Sequence, residues 1–177
     1  MALINYSVGY NQTEKRKEER KMKEREQELL DYYDERAENE GGGDWVYAWG
    51  MKGLPTKIGL TRNNPFKRVQ NTITKEVYTT PEFDMVAFNV TNKNIRKEDL
   101  ENRAHFLAAI KYGRNIEALT TGEYGSYKLK SGRTEVFNCS VEEASDIIFK
   151  ALRLTKEQAN EAANYARLNI ERFLATL

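Results

Sequence analysis

The stretch DWVYAWGMKGLPTKIGLTRNNP, residues 44–65, decides how this chain is read. From Trp45 to Trp49 the large aromatic side chains fall on every second residue, which is strand chemistry. Lys52-Gly53-Leu54-Pro55 brings turn residues, and Thr56-Lys57-Ile58-Gly59-Leu60-Thr61 supplies a second short run, so the pair predicts a β-hairpin. Asn64 followed by Pro65 is a capping residue with proline at the first helical position, which predicts a helix over 65–72.

Downstream, DMVAFNV (84–90) reads as a third strand. Residues 95–111 read as a helix with Ile95, Leu100, Ala104, Leu107 and Ala108 facing inward. Residues 113–133 are rich in Gly, Tyr and Lys and read as a long loop. TEVFNC (134–139) is a last strand, and Ser140 with Glu143 forms a capping box that opens a helix through Leu152. The expected fold class is α+β: a small, central, mostly antiparallel sheet with flanking helices, spanning 44–152.

Two appendages flank this body. In residues 14–28, EKRKEERKMKEREQE, every residue except Met22 and Gln27 is charged. Glu19–Lys23 and Arg20–Glu24 stand four apart, Glu14–Lys17 and Glu18–Lys21 three apart. Such pairs favour a solvated helix by about 0.2–0.5 kcal/mol each, and the lack of an apolar stripe argues against packing. Apolar character returns at Leu29, Leu30, Tyr32 and Tyr33, where contact with the body is expected. Gly41-Gly42-Gly43 breaks the helix and reads as a hinge, so 1–43 forms a charged arm. At the other end, Thr155 with Gln158 opens a further helix. Ala159, Ala162, Ala166, Ile170, Phe173 and Leu177 make an apolar stripe, so 153–177 is expected to pack on the body or to form an oligomer seam.

Composition excludes several functions. The chain has one cysteine (Cys139) and one histidine (His105) among 177 residues, which leaves no disulfide framework and no Cys/His zinc cluster. No apolar run approaches the roughly 20 residues of a membrane span. The opening MALINYSVGY lacks the basic and apolar regions of a secretion signal, so an intracellular, cytoplasmic chain is expected. Residues 1–40 carry a net charge of −3 and residues 41–177 a net charge of +4. The mildly basic body is compatible with nucleic acid.

Four polar residues stand out: Tyr47 mid-way along the first strand, Lys57 opening the second, Arg68 on the first body helix and Glu101 on the next. Glu98 and His105 lie on the same side of that helix as Glu101. A phenol, an amine, a guanidinium and a carboxylate form a minimal kit for phosphodiester chemistry. Each has a plainer reading as well: strand packing for Tyr47, a solvated edge charge for Lys57, a surface cation for Arg68, a helix-surface acid for Glu101. Lys111, Arg114, Lys128, Lys130 and Arg133, interleaved with Tyr112, Tyr124 and Tyr127, suit a surface that tracks a nucleic-acid backbone. Glu135 reads as a strand-surface residue.

Trp45-Val46-Tyr47, Lys57-Ile58-Gly59, Arg68 and Glu101, taken in order and spacing, resemble the GIY-YIG endonuclease superfamily over residues 45–149. The similarity is to a phage-type subgroup whose second motif reads KIG and which includes a meiotically up-regulated relative. Leu100-Glu101-Asn102-Arg103-Ala104-His105 looks like its E-x-x-x-H helix, and Thr134-Glu135-Val136-Phe137 with the following Ser140-Val141-Glu142-Glu143-Ala144 looks like its closing strand and helix. The resemblance implies a DNA endonuclease using a single Mg²⁺ or Mn²⁺, acting inside a bacterial host if phage-encoded. Tyr47 would be the base or water-positioning residue, Arg68 would contact the scissile phosphate, and Glu101 would ligate the metal. Lys57 would stand in place of the second tyrosine, and Gly59 would allow close backbone approach. His105 and Asn138 are further candidates. Trp45 replaces the first glycine and Lys57 the tyrosine, and these departures keep a second expectation open: a catalytically inactive nucleic-acid-binding or protein-interaction module. Protein contact, including a homodimer, would then run through the arm or the C-terminal helix.

Overall fold

Every residue from Trp45 to Gly50 is buried, because both faces of the strand they form are covered. The computed structural model describes residues 6–158 together with residues 160, 161 and 164. Strand β1 (Trp45–Met51) is central, with β2 (Thr56–Thr61) on one side and β3 (Phe83–Asn89) on the other. The short β6 (Val136–Phe137) extends the sheet beyond β2, giving the order β3-β1-β2-β6, antiparallel throughout. The fold is α+β.

Alternation along β1 divides the interior in two. Trp45, Tyr47 and Trp49 enter one core with Tyr33, Phe66, Val69, Ile73, Val77 and Phe83. Val46 and Ala48 enter the other with Ile58, Leu100, Ala104, Ala108, Ile147 and Ile148. The first face is covered by α1 (Tyr6–Asn39), α2 (Pro65–Gln70) and α3 (Lys75–Tyr78), the second by α4 (Lys97–Lys111) and α6 (Val141–Arg153). Helix α6 opens on the expected capping box: Ser140 Oγ accepts from Glu143 N at 3.1 Å, and Ser140 N donates to Glu143 Oε2 at 2.8 Å.

The segment 113–133, expected as a loop, is largely ordered into α5 (Ile116–Thr121) and a hairpin of β4 (Glu123–Tyr124) and β5 (Tyr127–Lys128). Tertiary contact makes these short elements: Tyr124 is buried with its ring 5.2 Å from Trp49, and its hydroxyl accepts from Met51 N at 2.8 Å. Residues 133–135, expected in the last strand, form a 3-10 turn (Arg133–Glu135), leaving β6 only two residues.

The charged half of α1 is exposed over residues 12–21, with ion pairs Lys17–Glu14 and Arg20–Glu24 within the helix. Its second half is docked. Tyr33 is buried edge-on against Trp45 at 5.7 Å, and the Arg36 guanidinium lies over the Trp45 ring at 4.9 Å while donating to Ala87 O at 3.2 Å. Docking begins inside the charged run, where Glu26 pairs with Lys75 at 3.4 Å. The glycines read as a hinge form a tied turn. Gly41 and Gly42 hold positive φ angles of 79° and 157°, Asn89 Nδ2 donates to Gly42 O at 2.7 Å, and Asn92 Nδ2 donates to Glu40 O.

Thr155 and Gln158 cap each other, with Thr155 N to Gln158 Oε1 at 2.9 Å and Gln158 N to Thr155 Oγ1 at 3.2 Å. The apolar stripe beyond them, and the packed helix or oligomer seam expected from it, lie outside the described residues. No described helix is long and apolar enough to cross a membrane.

Candidate active site

The β1–β2 register sets Tyr47 opposite Gly59 and Trp49 opposite Lys57, so Tyr47 and Lys57 project from the same face of the sheet. The Tyr47 ring lies flat over Gly59. A Cβ at that position would stand 2.8 Å from the hydroxyl and 2.9 Å from Cζ, which explains the glycine on packing grounds alone. The Tyr47 hydroxyl lies beside the Arg68 side chain of α2, which favours its ionised form. Asn64 fixes that helix at both ends of its own side chain. Its Oδ1 accepts from Phe66 N and Lys67 N at 3.0 and 3.3 Å, and its Nδ2 donates to Leu30 O and Asp34 Oδ1 at 2.7 and 2.9 Å. The arm thereby holds the helix that carries Arg68.

Strand β6 covers β2 only at Thr56 and Lys57. Farther along β2, α4 reaches the backbone from the opposite face of the sheet. Glu101 comes close enough to the Leu60 backbone for it to favour the carboxylate, and His105 Nε2 donates to Ile58 O at 3.0 Å. The Glu101 and His105 side chains are 3.9 Å apart. The site therefore straddles a sheet edge: Tyr47, Lys57 and Arg68 come from one face, Glu101 and His105 from the other.

Glu135 completes it. The Lys57 ammonium donates to Glu135 Oε2, and Gly132, at φ 71°, closes over the pair. A Cβ on Gly132 would run into Lys57 Nζ and lie 2.6 Å from the Glu135 carboxylate. Glu135 departs from its expected place on a strand surface because the 3-10 turn aims it at β2. A partner 78 residues away leaves no local signal in the sequence.

Burial dominates the electrostatics. It pushes the Glu101 carboxyl up to about 7; Glu135 pushes the same way and Lys57 opposes. Burial likewise raises the Tyr47 phenol to about 12 against the pull of Arg68. The Lys57 amine is lowered by burial against the attraction of Glu135, and the His105 imidazole is lowered by burial too. All four candidate catalytic residues are close enough to act on a neighbour's charge: Lys57 feels Glu135, Glu101 and Arg68, and Tyr47 feels Arg68, Glu135 and Glu101.

The donor chemistry fits a hard divalent cation at Glu101. The Glu101 carboxyl supplies oxygen donors, which are what Mg²⁺ and Mn²⁺ take, and a bound cation would favour its ionised form against burial. Among the described residues no group of three or more His, Cys, Asp or Glu is gathered for a metal. An ion held by one carboxylate would complete its shell with water and phosphate oxygens, as Mg²⁺ commonly does.

The remaining candidates are more scattered. Lys128, Lys130 and Arg133 are exposed on or after the β4–β5 hairpin, and the chain just beyond it is tied to the turn after α2 through Lys130 N to Thr72 O at 2.9 Å. Lys111 is exposed with its ammonium 4.9 Å from the Tyr112 ring. Arg114 donates to Thr134 O at 2.6 Å across the Phe137 ring, which itself lies 5.3 Å from the His105 ring. Asn138 accepts from Asn115 Nδ2 at 2.9 Å and donates to Arg114 O at 3.3 Å, a tie that closes the connection from α4 to α5. Compared with protein-family models, curated proteins and solved structures, the chain matches none.

Proposed function

We propose that this chain is a divalent-cation-dependent DNA endonuclease of the kind the GIY-YIG resemblance implies. One observation supports the reading above others. Tyr47, Lys57, Arg68 and Glu101, contributed by β1, β2, α2 and α4, interact electrostatically at a single sheet edge. A core-packing tyrosine or a stray surface acid has no need of such company.

In this reading Arg68, exposed beside the Tyr47 hydroxyl, meets the scissile phosphate and offsets its charge. Glu101 would hold Mg²⁺ or Mn²⁺, and the ion would stabilise charge developing on the phosphoryl and leaving oxygens. Tyr47 orients the guanidinium. The test is plasmid nicking with Mg²⁺ and with Mn²⁺. Glu101→Ala and Arg68→Ala are each expected to fold and to lose cleavage by at least 100-fold. Cleavage at the wild-type rate in either variant would remove that residue from the mechanism.

A second reading is favoured by one observation. Tyr47 and Lys57 are each only 1% exposed, so neither meets a substrate as the site stands. A nucleic-acid-binding module without catalysis would bind DNA with strong salt dependence and no response to Mg²⁺.

A further inference from the structure

The open question in the site is which group takes a proton from the attacking water. Tyr47 is buried over Gly59 at 1% exposure, with its hydroxyl beside Arg68. The Lys57 ammonium is committed to Glu135 beneath Gly132, and an ammonium in an ion pair has no lone pair to offer. His105 donates Nε2–H to Ile58 O and keeps an acceptor at Nδ1, but its side chain is only 13% exposed. Glu135 differs from all three: its side chain is 32% exposed against 2% for that of Lys57. Lys57 occupies Oε2, and among the described residues Oε1 carries no hydrogen bond.

We infer that Glu135 is the proton acceptor of the site and that Lys57 is the buried positioning residue that aims it. This rests on the endonuclease reading and changes one part of it, since the resemblance gives that task to Tyr47. In the step, one O–H bond of water breaks and its proton passes to Glu135 Oε1. The water oxygen bonds to phosphorus, the phosphorus–oxygen bond to the leaving group breaks, and its electron pair stays on the leaving oxygen. That oxygen takes a proton from solvent, and Glu135 returns its own to solvent, so one water is added across the phosphodiester.

The inversion of roles follows from depth. The cation lies under the carboxylate, so an approaching phosphodiester reaches Glu135 first. Gly132 is the structural counterpart, because any side chain there would wedge the lysine and glutamate apart. A buried lysine holding a half-exposed carboxylate fixes its orientation at little entropic cost, as the shallow group has only one partner to satisfy.

The experiment compares wild type, Glu135→Gln, Glu135→Ala, Lys57→Met, Lys57→Arg and His105→Gln in the full chain. Nicking kinetics, thermal midpoint and DNA affinity in Ca²⁺ are measured for each. Glu135→Gln keeps an acceptor for Lys57 and is expected to retain the midpoint and the affinity while kcat falls by 10²–10⁴, about what general-base catalysis contributes. In Glu135→Ala, added formate is expected to restore part of kcat by supplying a small carboxylate. Lys57→Met is expected to lower kcat with KM unchanged, and Lys57→Arg to recover part of it. Wild-type kcat in Glu135→Gln overturns the inference, as does a loss confined to His105→Gln. A Glu135→Ala defect that follows the thermal midpoint and ignores formate also overturns it, leaving the ion pair structural. A wild-type chain that binds DNA but never cleaves it with either metal removes the endonuclease reading itself.

Discussion

Gly59 and Glu101 show how single residues in this site answer to packing and charge at once. The Tyr47 phenol fills the space where a Cβ on residue 59 would sit. Gly59→Ala is expected to cost about 1–3 kcal/mol by overpacking, and to shift the hydroxyl beside Arg68. Urea unfolding and nicking assays on the same protein would show both losses together. Glu101 carries a pH signature. Its folded carboxyl titrates near 7 against an ordinary value of 4.5, so between those limits the folded chain holds a proton that the unfolded chain has released. Its contribution to stability is therefore present in acid and is lost as pH rises toward 7. His105, lowered by burial, acts with the opposite sign below its ordinary 6.5. The comparison with Glu101→Gln isolates the carboxylate. Relative to wild type, the variant is expected to gain about 1–3 kcal/mol between pH 5 and pH 8, after allowance for water at the carboxylate. Thermal melts across that range would check it, and a constant difference would refute the assignment.

Among the elements, α1 is two structures in one helix. Its first half is a lattice of exposed charges whose pairs contribute little, whereas its second half is anchored by an aromatic side chain. Tyr33→Ala is expected to cost about 3 kcal/mol because it empties a buried site against Trp45. Arg20→Ala, which breaks the exposed pair to Glu24, is expected to stay within about 0.5 kcal/mol. Denaturant titrations of the two variants would separate docking from solvation. Ser140→Ala, at the head of α6, removes one partner of the capping box and is expected to cost about 1 kcal/mol. These helices were legible because their signals are local: Asn64-Pro65, Ser140 with Glu143, and the apolar face of Leu100, Ala104 and Ala108. Helix α5 and the β4–β5 hairpin were not. Helix α5 did carry local signals, the Asn115 cap on Ala118 N at 2.9 Å and Gly122 at φ 73°, but it is only six residues long. The hairpin has two residues per strand and depends on the seating of Tyr124 against Trp49 and Met51 N.

For the whole molecule, the proposed DNA contact is a matter of distributed charge. If Lys128, Lys130 and Arg133 each neutralise a phosphate, replacing all three with alanine should reduce the slope of log affinity against log salt by roughly 2–3. An unchanged slope would place the nucleic acid elsewhere on the surface. The kind of chain this is, α+β with a small, mostly antiparallel sheet and flanking helices, could be read from alternation, caps and breakers, since each of these acts within a few residues. The central place of β1 and the cover on both its faces came from the structure. The identities of Tyr47, Lys57, Arg68 and Glu101 as candidates were equally plain in the string. What folding alone decided is their depth and company: Lys57 buried, Glu135 swung onto it from 78 residues away, and the arm pinned through Asn64 to the helix that carries Arg68. Burial and ion pairing depend on distances across the sheet edge, and neighbours along the chain carry no record of those distances.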